Sequence, residues 1–205
     1  MPATLTERPP APAAQCPPRK RWTRAECERL EALGIFEQQH LELIQGELID
    51  KMGKNRPHVN AAALLFAWLI QVFGPRLVNV EAPIDVAPED NPTNEPEPDA
   101  VVVKREYVES RAYRLRSPRP EDLALVIEIA DSSLPFDLTT KAALYARAGI
   151  IEYWVLDIIG RHLIVHREPQ AGQYASVTSY SQDESAAPLA APHSSLRIAD
   201  IFPEE

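Results

Sequence analysis

At 205 residues, with 45% hydrophobic and 25% charged side chains, the chain is long enough to bury a full core and too apolar to be disordered throughout. Its longest apolar run, Ala61–Ile70, is about half of the roughly 20 residues that a membrane-spanning helix needs, the N-terminus lacks the apolar stretch of a secretory signal, and two cysteines, Cys16 and Cys27, make neither a disulfide framework nor a zinc ribbon. A cytoplasmic protein is expected, and a formal charge of -9 argues against holding nucleic acid by bulk electrostatics, leaving only local basic patches.

The 20 prolines are about twice the usual share, and they cluster. Pro2, Pro9, Pro10, Pro12, Pro17 and Pro18 fall where no apolar period exists to bury, so residues 1–20 are expected to be a disordered tail and residues 21–205 a single domain. Thr23 and Glu26 stand in capping-box register before Gly34, which predicts a short helix over 23–33. In LELIQGELIDKM, Gln45-Gly46 separates two apolar triplets and predicts a hairpin or a strand with a tight turn. Asn55 can cap a helix carrying Pro57 in its first turn, and HVNAAALLFAWLIQVF runs to a Gly74-Pro75 stop. Apolar almost all round, this helix is expected to be buried against a sheet.

The stretch APIDVAPEDNPTNEPEPD cannot be helical, because each proline removes a donor and restrains its neighbour; it reads as a long loop feeding a strand. RLVNVEAPIDV, DAVVVK, LALVIEIA, EYWVLD and HLIVHRE are strand candidates. Between LALVIEIA and EYWVLD lies DLTTKAALYARAG, a helix with Asp137 as its N-cap and Gly149 just past its end. SSLRIADIF closes the chain as a short helix or turn. Elements in this order predict an α/β or α+β domain with a mixed sheet.

Three residues carry the chemistry. On the strand Leu123–Ala130 both faces are apolar except at Glu128, so the strand is central and its carboxylate is desolvated; such a group needs a partner, a proton or a metal. Asp99 opens DAVVVK, and its parity puts it on one face with Val101 and Val103. Two carboxylates on adjacent strands repel unless a divalent cation sits between them, and hard oxygen ligands select magnesium or manganese over zinc. Taken alone, Asp99 also reads as a solvated residue ending a loop. Lys141 falls in the stripe Leu138, Lys141, Ala142, Tyr145 and Ala148 that faces the sheet. It either forms a plain salt bridge with Glu128, or snorkels, or holds an attacking water and stabilises developing charge.

EPEPDAVVV, LVIEIADSS and FDLTTKAALYARAGIIEYWVLD, in that order and spacing, resemble the PD-(D/E)xK nuclease superfamily, and most closely its Uma-type branch of restriction-endonuclease-like proteins. The resemblance covers about Phe36 to Phe202. It implies a restriction-endonuclease-like mixed central sheet flanked by helices, in which Asp99 and Glu128 hold the metal and the main-chain carbonyl of Ile129 is a further ligand. It implies that the lysine, two residues after the glutamate in the wider superfamily, has moved from the place of Ala130 to Lys141. Glu47 matches a further acidic position of such proteins, with Glu42 as its rival; either could bind a second metal or a water, or be a solvated hairpin carboxylate. His58 matches a residue common in the branch, and also reads as a locally satisfied first-turn residue.

Tyr153 and Trp154 read as strand core rather than as a base-stacking platform. Lys104, Arg105, Arg111, Arg114, Arg116 and Arg119, interleaved with Tyr107 and Tyr113, form a basic cluster between the Asp99 and Glu128 strands. Arg111, Arg114 and Arg116 could track a phosphate backbone, unless the cluster is a solvated loop balanced by Glu106, Glu109, Glu121 and Asp122. The expectation is a Mg2+- or Mn2+-dependent endonuclease acting on DNA, with Asp99, Glu128, Lys141 and Glu47 as its catalytic set. The alternative is a nuclease-fold protein without catalysis, serving as a nucleic-acid-binding or regulatory homodimer.

Overall fold

A computed structural model describes residues 19–202 apart from residues 38, 52 and 54, so the expected tail lies outside the described residues up to residue 18. The first helix, α1 (Arg24–Ala32), starts at the Thr23–Glu26 capping box. Strands β1 (Leu41–Ile44) and β2 (Glu47–Asp50) form the hairpin, whose two-residue turn has positive φ at both Gln45 and Gly46, the geometry that a tight turn between right-twisted strands requires. Helix α2 (Arg56–Phe73) is capped by Asn55, whose side chain accepts the His58 N–H, and stops at Gly74.

A six-stranded mixed sheet runs in the order β3 (Val78–Val80), β4 (Ala100–Val103), β5 (Leu123–Ala130), β6 (Glu152–Asp157), β7 (His162–Gln170), β8 (Gln173–Tyr180). Only β5 and β6 are parallel. A short helix, α3 (Arg105–Glu109), lies between β4 and β5. The β5–β6 crossover is α4, which is α-helical over Leu134–Phe136, π-helical over Asp137–Lys141 and α-helical again over Ala142–Arg147. Strand β3 falls before the long proline-rich segment, so RLVNVEAPIDV is a strand only over Val78–Val80 and the segment itself adds no strand to the sheet. That segment is without α-helix, as expected, and ties to the β1–β2 hairpin through the Leu43–Glu95 bridge.

The sheet divides the core in two. On one face α2, through Ala61, Ala62, Leu65 and Leu69, packs with Leu125, Ile127 and Trp154 and with the C-terminal turn Ile198–Ile201. On the other, α4, through Leu144 and Tyr145, packs with Val101, Val126, Ala130 and Tyr153, and Ile44 of the hairpin joins it. Tyr153 and Trp154 are core, one on each face.

Three expectations change. Helix α2 is not buried all round: Val59, Leu64 and Ile70 are exposed, because the sheet covers only one stripe of the helix. Asp137 does not cap α4. The helix begins three residues earlier at Leu134, so Asp137 has helical φ and ψ and its side chain is buried. Strand β8 has no counterpart among the strand candidates; QYASVTSY is mostly polar and half-exposed because it lies at the sheet edge with one face toward solvent, which removes the apolar signature of a strand.

Candidate functional site

The site is built where the start of β4 meets the end of β5. Ala100 pairs with Ile127, so Asp99, one residue earlier, comes beside Glu128. The Ile129 N–H donates to Asp99 Oδ2 at 2.7 Å, which fixes that carboxylate's orientation. From α4, Asp137, Lys141 and Tyr145 follow one another at four-residue spacing and reach the same place. Lys141 Nζ donates to Glu128 Oε1 at 2.9 Å and lies 2.9 Å from Glu42 Oε1 and 3.9 Å from Asp137 Oδ1. Tyr145 also donates its hydroxyl to Glu128 Oε1, at 2.9 Å. None of the hydrogen bonds among the described residues uses Glu128 Oε2.

The π-helical turn positions this set. The Asp137 carbonyl accepts both the Ala142 N–H of the π turn and the Tyr153 hydroxyl, at 3.1 Å, while the Asp137 carboxylate accepts from Ser133 at 2.7 Å. Glu42, Asp99, Glu128, Asp137 and Lys141 are all buried, and they line a cavity of about 670 Å³ together with His58 and Ile129. Across its wall Lys51 donates to the Glu97 carbonyl, and Asn55 donates to Asp131.

Three carboxylates, Glu42, Glu128 and Asp137, stand around the one Lys141 ammonium, with more buried negative charge than it balances. Burial, reinforced by Asp137, Asp99 and Glu42, raises Glu128 to about 8 despite the opposing Lys141. Burial also raises Asp137 to about 6, against Lys141 and the Ser133 hydroxyl. Burial disfavours the Lys141 ammonium, but Glu128, Glu42 and Asp137 outweigh it and hold that group above the usual lysine range.

The donor set is hard oxygen, which suits magnesium or manganese. Asp99 and Glu128 fit such an ion. Among the described residues no three Asp, Glu, His or Cys side chains converge as a metal cage, and Lys141 occupies one oxygen of Glu128.

A family model described as Uma2, putative restriction endonuclease, matches residues 24–199. The chain belongs to the Uma2 family. The fold of this Uma2 protein is similar to the crystal structure of a putative nuclease belonging to DUF820 from Anabaena variabilis ATCC 29413, with a TM-score of 0.64 at 16% identity over 79% of this chain and 89% of that one. That likeness shows the fold. No curated protein matches the chain.

In the Uma2 chain, then, the structure brings Asp99, Glu128, Lys141 and the Ile129 backbone together. It does not bring Glu47. That residue is exposed beside the hairpin turn, 3.0 Å from Arg21, whereas its rival Glu42 lies in the site. Glu42 and Glu47 share one hairpin face, since Ile44, two residues after Glu42, pairs with Glu47. Parity therefore could not separate them. Asp137 reads as a cap from its residue type, yet its place four residues before Lys141 is a signal that both share one helix face.

The basic cluster is also displaced. The segment from Lys104 to Asp122 joins the end of β4 to the start of β5, while Asp99 and Glu128 lie at the other ends of those strands. Arg116 is bound to Asp122 at 2.6 Å and stacks on Tyr107, a structural use; Arg111 and Arg114 are exposed. No helix among the described residues is long and apolar enough to cross a membrane.

Proposed function

We propose that the protein is a Mg2+- or Mn2+-dependent endonuclease that hydrolyses phosphodiester bonds in DNA. The observation that carries this reading is the buried acid cluster around Lys141 at the end of β5, with more carboxylates than the protein's own cation can neutralise. A module that only binds nucleic acid has no need of so costly an arrangement.

Asp99 and Glu128 would hold the cation, with the Ile129 carbonyl beside them. When bound, it supplies Lewis-acid polarisation of the scissile phosphate and lowers the pKa of a water. Lys141, fixed between Glu42 and Glu128, orients that water and stabilises the negative charge that develops on the phosphate. Glu42, at 2.9 Å, gives the Lys141 ammonium a second partner besides Glu128, and Tyr145 holds Glu128 Oε1, so that Oε2 would be the atom available to a cation. Burial of the cluster excludes bulk water, so these charges act at short range in a medium of low polarity.

Incubation with supercoiled plasmid DNA in Mg2+ or Mn2+ tests the reading. Nicking that disappears with chelator and in Asp99→Ala and Glu128→Ala supports it. Metal binding without cleavage of DNA, single-stranded or duplex, would leave a non-catalytic nucleic-acid-binding protein instead.

A further inference from the structure

We infer that this site takes a single DNA strand, which enters the cavity as one or two unpaired nucleotides with a base against Phe136, and that closed duplex is a poor substrate. This rests on the reading above that the site hydrolyses phosphodiester bonds.

The reacting groups form the floor of a hollow. Glu42, Asp99, Glu128, Asp137 and Lys141 are each between 2% and 5% exposed, whereas Asp50, Asn55, Ser132 and Ser133, which line the same cavity, are exposed and form its rim. The space, about 670 Å³, falls within the roughly 300–1,000 Å³ of pockets that take a drug-sized molecule. A nucleotide or two is of that size, whereas a duplex is a rod whose major groove alone is about 12 Å wide. Such a rod meets the rim and leaves its phosphodiesters short of the floor. A strand free of its partner can turn a phosphate inward, and enzymes with sunken reacting groups act on single strands or on a nucleotide turned out of the duplex.

The charge around the mouth agrees. A protein that grips duplex through many phosphates presents a basic surface. Besides the cluster itself, the described charged residues lining the cavity are two acids, Asp50 and Asp131, and one cation, Lys51, whose ammonium already donates to the Glu97 carbonyl at 2.6 Å. The arginine-rich segment leaves from the opposite ends of β4 and β5. What the wall offers is apolar: Ile49 and Phe136, both half-buried, line the cavity. An aromatic ring gives any base a face to stack on, and a base still paired inside a duplex cannot reach it.

The test uses the full chain in Mg2+ or Mn2+ with one labelled sequence presented as a single strand, as a closed duplex, and as a duplex with a central loop of unpaired nucleotides. The single strand and the loop are expected to be cut with kcat/KM at least about tenfold above the closed duplex, which must first unpair. The salt dependence of the single-strand KM should have a log–log slope of no more than about 1.4, the value for two phosphate contacts on a single strand. Phe136→Leu, which keeps an apolar wall and removes the ring, should raise that KM by at least about fivefold, the lower end of what one stacked base is worth, and lower kcat by less. A closed duplex cut as fast as the single strand overturns the inference and leaves the endonuclease standing. No cleavage of any of the substrates overturns both. An unchanged KM in Phe136→Leu overturns the place given to the base. The wild-type comparison decides the strand preference even where the variant fails to fold.

Discussion

Lys141 and Glu128 meet at 2.9 Å, both buried, with Tyr145 donating to the same carboxylate oxygen. A single ammonium there serves Glu42 as well, and Asp137 stands just beyond direct contact. In the absence of a metal the lysine is the cluster's internal counterion. What a divalent cation would relieve, this residue relieves in part.

Lys141→Met is therefore expected to destabilise the metal-free protein by about 3–5 kcal/mol, the scale of removing one partner from a buried ion pair. Denaturant unfolding in chelator measures this, and Mn2+ should restore part of the loss by mass action. Cleavage by the metal-loaded variant should fall by about 10² or more, as for the loss of one electrostatic stabiliser. An unchanged cleavage rate would remove Lys141 from the mechanism.

Stability should depend on pH in a direction set by the raised carboxyl groups. Asp137, at about 6, and Glu128, at about 8, each bind a proton more tightly in the folded chain than in the unfolded one. Their contribution favours the fold at low pH and is lost as pH rises through those values. Unfolding in chelator should show stability falling from about pH 4, the ordinary carboxylate range, to about pH 8, with Mn2+ flattening the profile. A stability that rises over this range would show that the acid cluster is no burden to the fold.

The two hairpin acids should separate cleanly. Glu47→Gln touches only an exposed ion pair, so stability should change by about 0.5 kcal/mol or less and metal affinity not at all. Glu42→Gln removes a charge from the buried cluster and loosens Lys141, and should lower the cleavage rate at saturating metal while the fold persists. Equal effects from both substitutions would argue against the place assigned to Glu42.

The arginine-rich segment gives a prediction opposite to the one its composition suggests. Arg111→Ser with Arg114→Ser should leave the salt dependence of DNA binding unchanged, because the segment lies at the far end of the strands that carry the site. If these arginines did neutralise duplex phosphates, the log–log slope would flatten by about 0.9 for each phosphate they bind. Arg116→Ala should cost about 1–3 kcal/mol of stability, because it removes both the hydrogen bond to Asp122 and the stacking on Tyr107.

Much of this protein was determined by its sequence alone, wherever the information is local. The Thr23–Glu26 box, the Gln45-Gly46 turn, the Asn55 cap and the apolar strand around Glu128 follow from side-chain chemistry within a few residues, and the structure has them at those places. The parity of Asp99 and the helix face of Lys141 were legible for the same reason, since strands and helices impose fixed periods. The tertiary structure alone decided what depends on where one element lies against another. Glu42 and Glu47 share a hairpin face, and only the docking of that hairpin beside α4 sends one to Lys141 and leaves the other at Arg21. Arg111 and Arg114 are close to Asp99 in sequence but stand a strand's length away, because the segment that holds them leaves from the opposite end of β4. Asp137 reads as a cap until the helix is seen to start earlier and the π turn to carry its carboxylate inward. Periodicity fixes the direction of a side chain within its element; the packing of elements fixes what it meets.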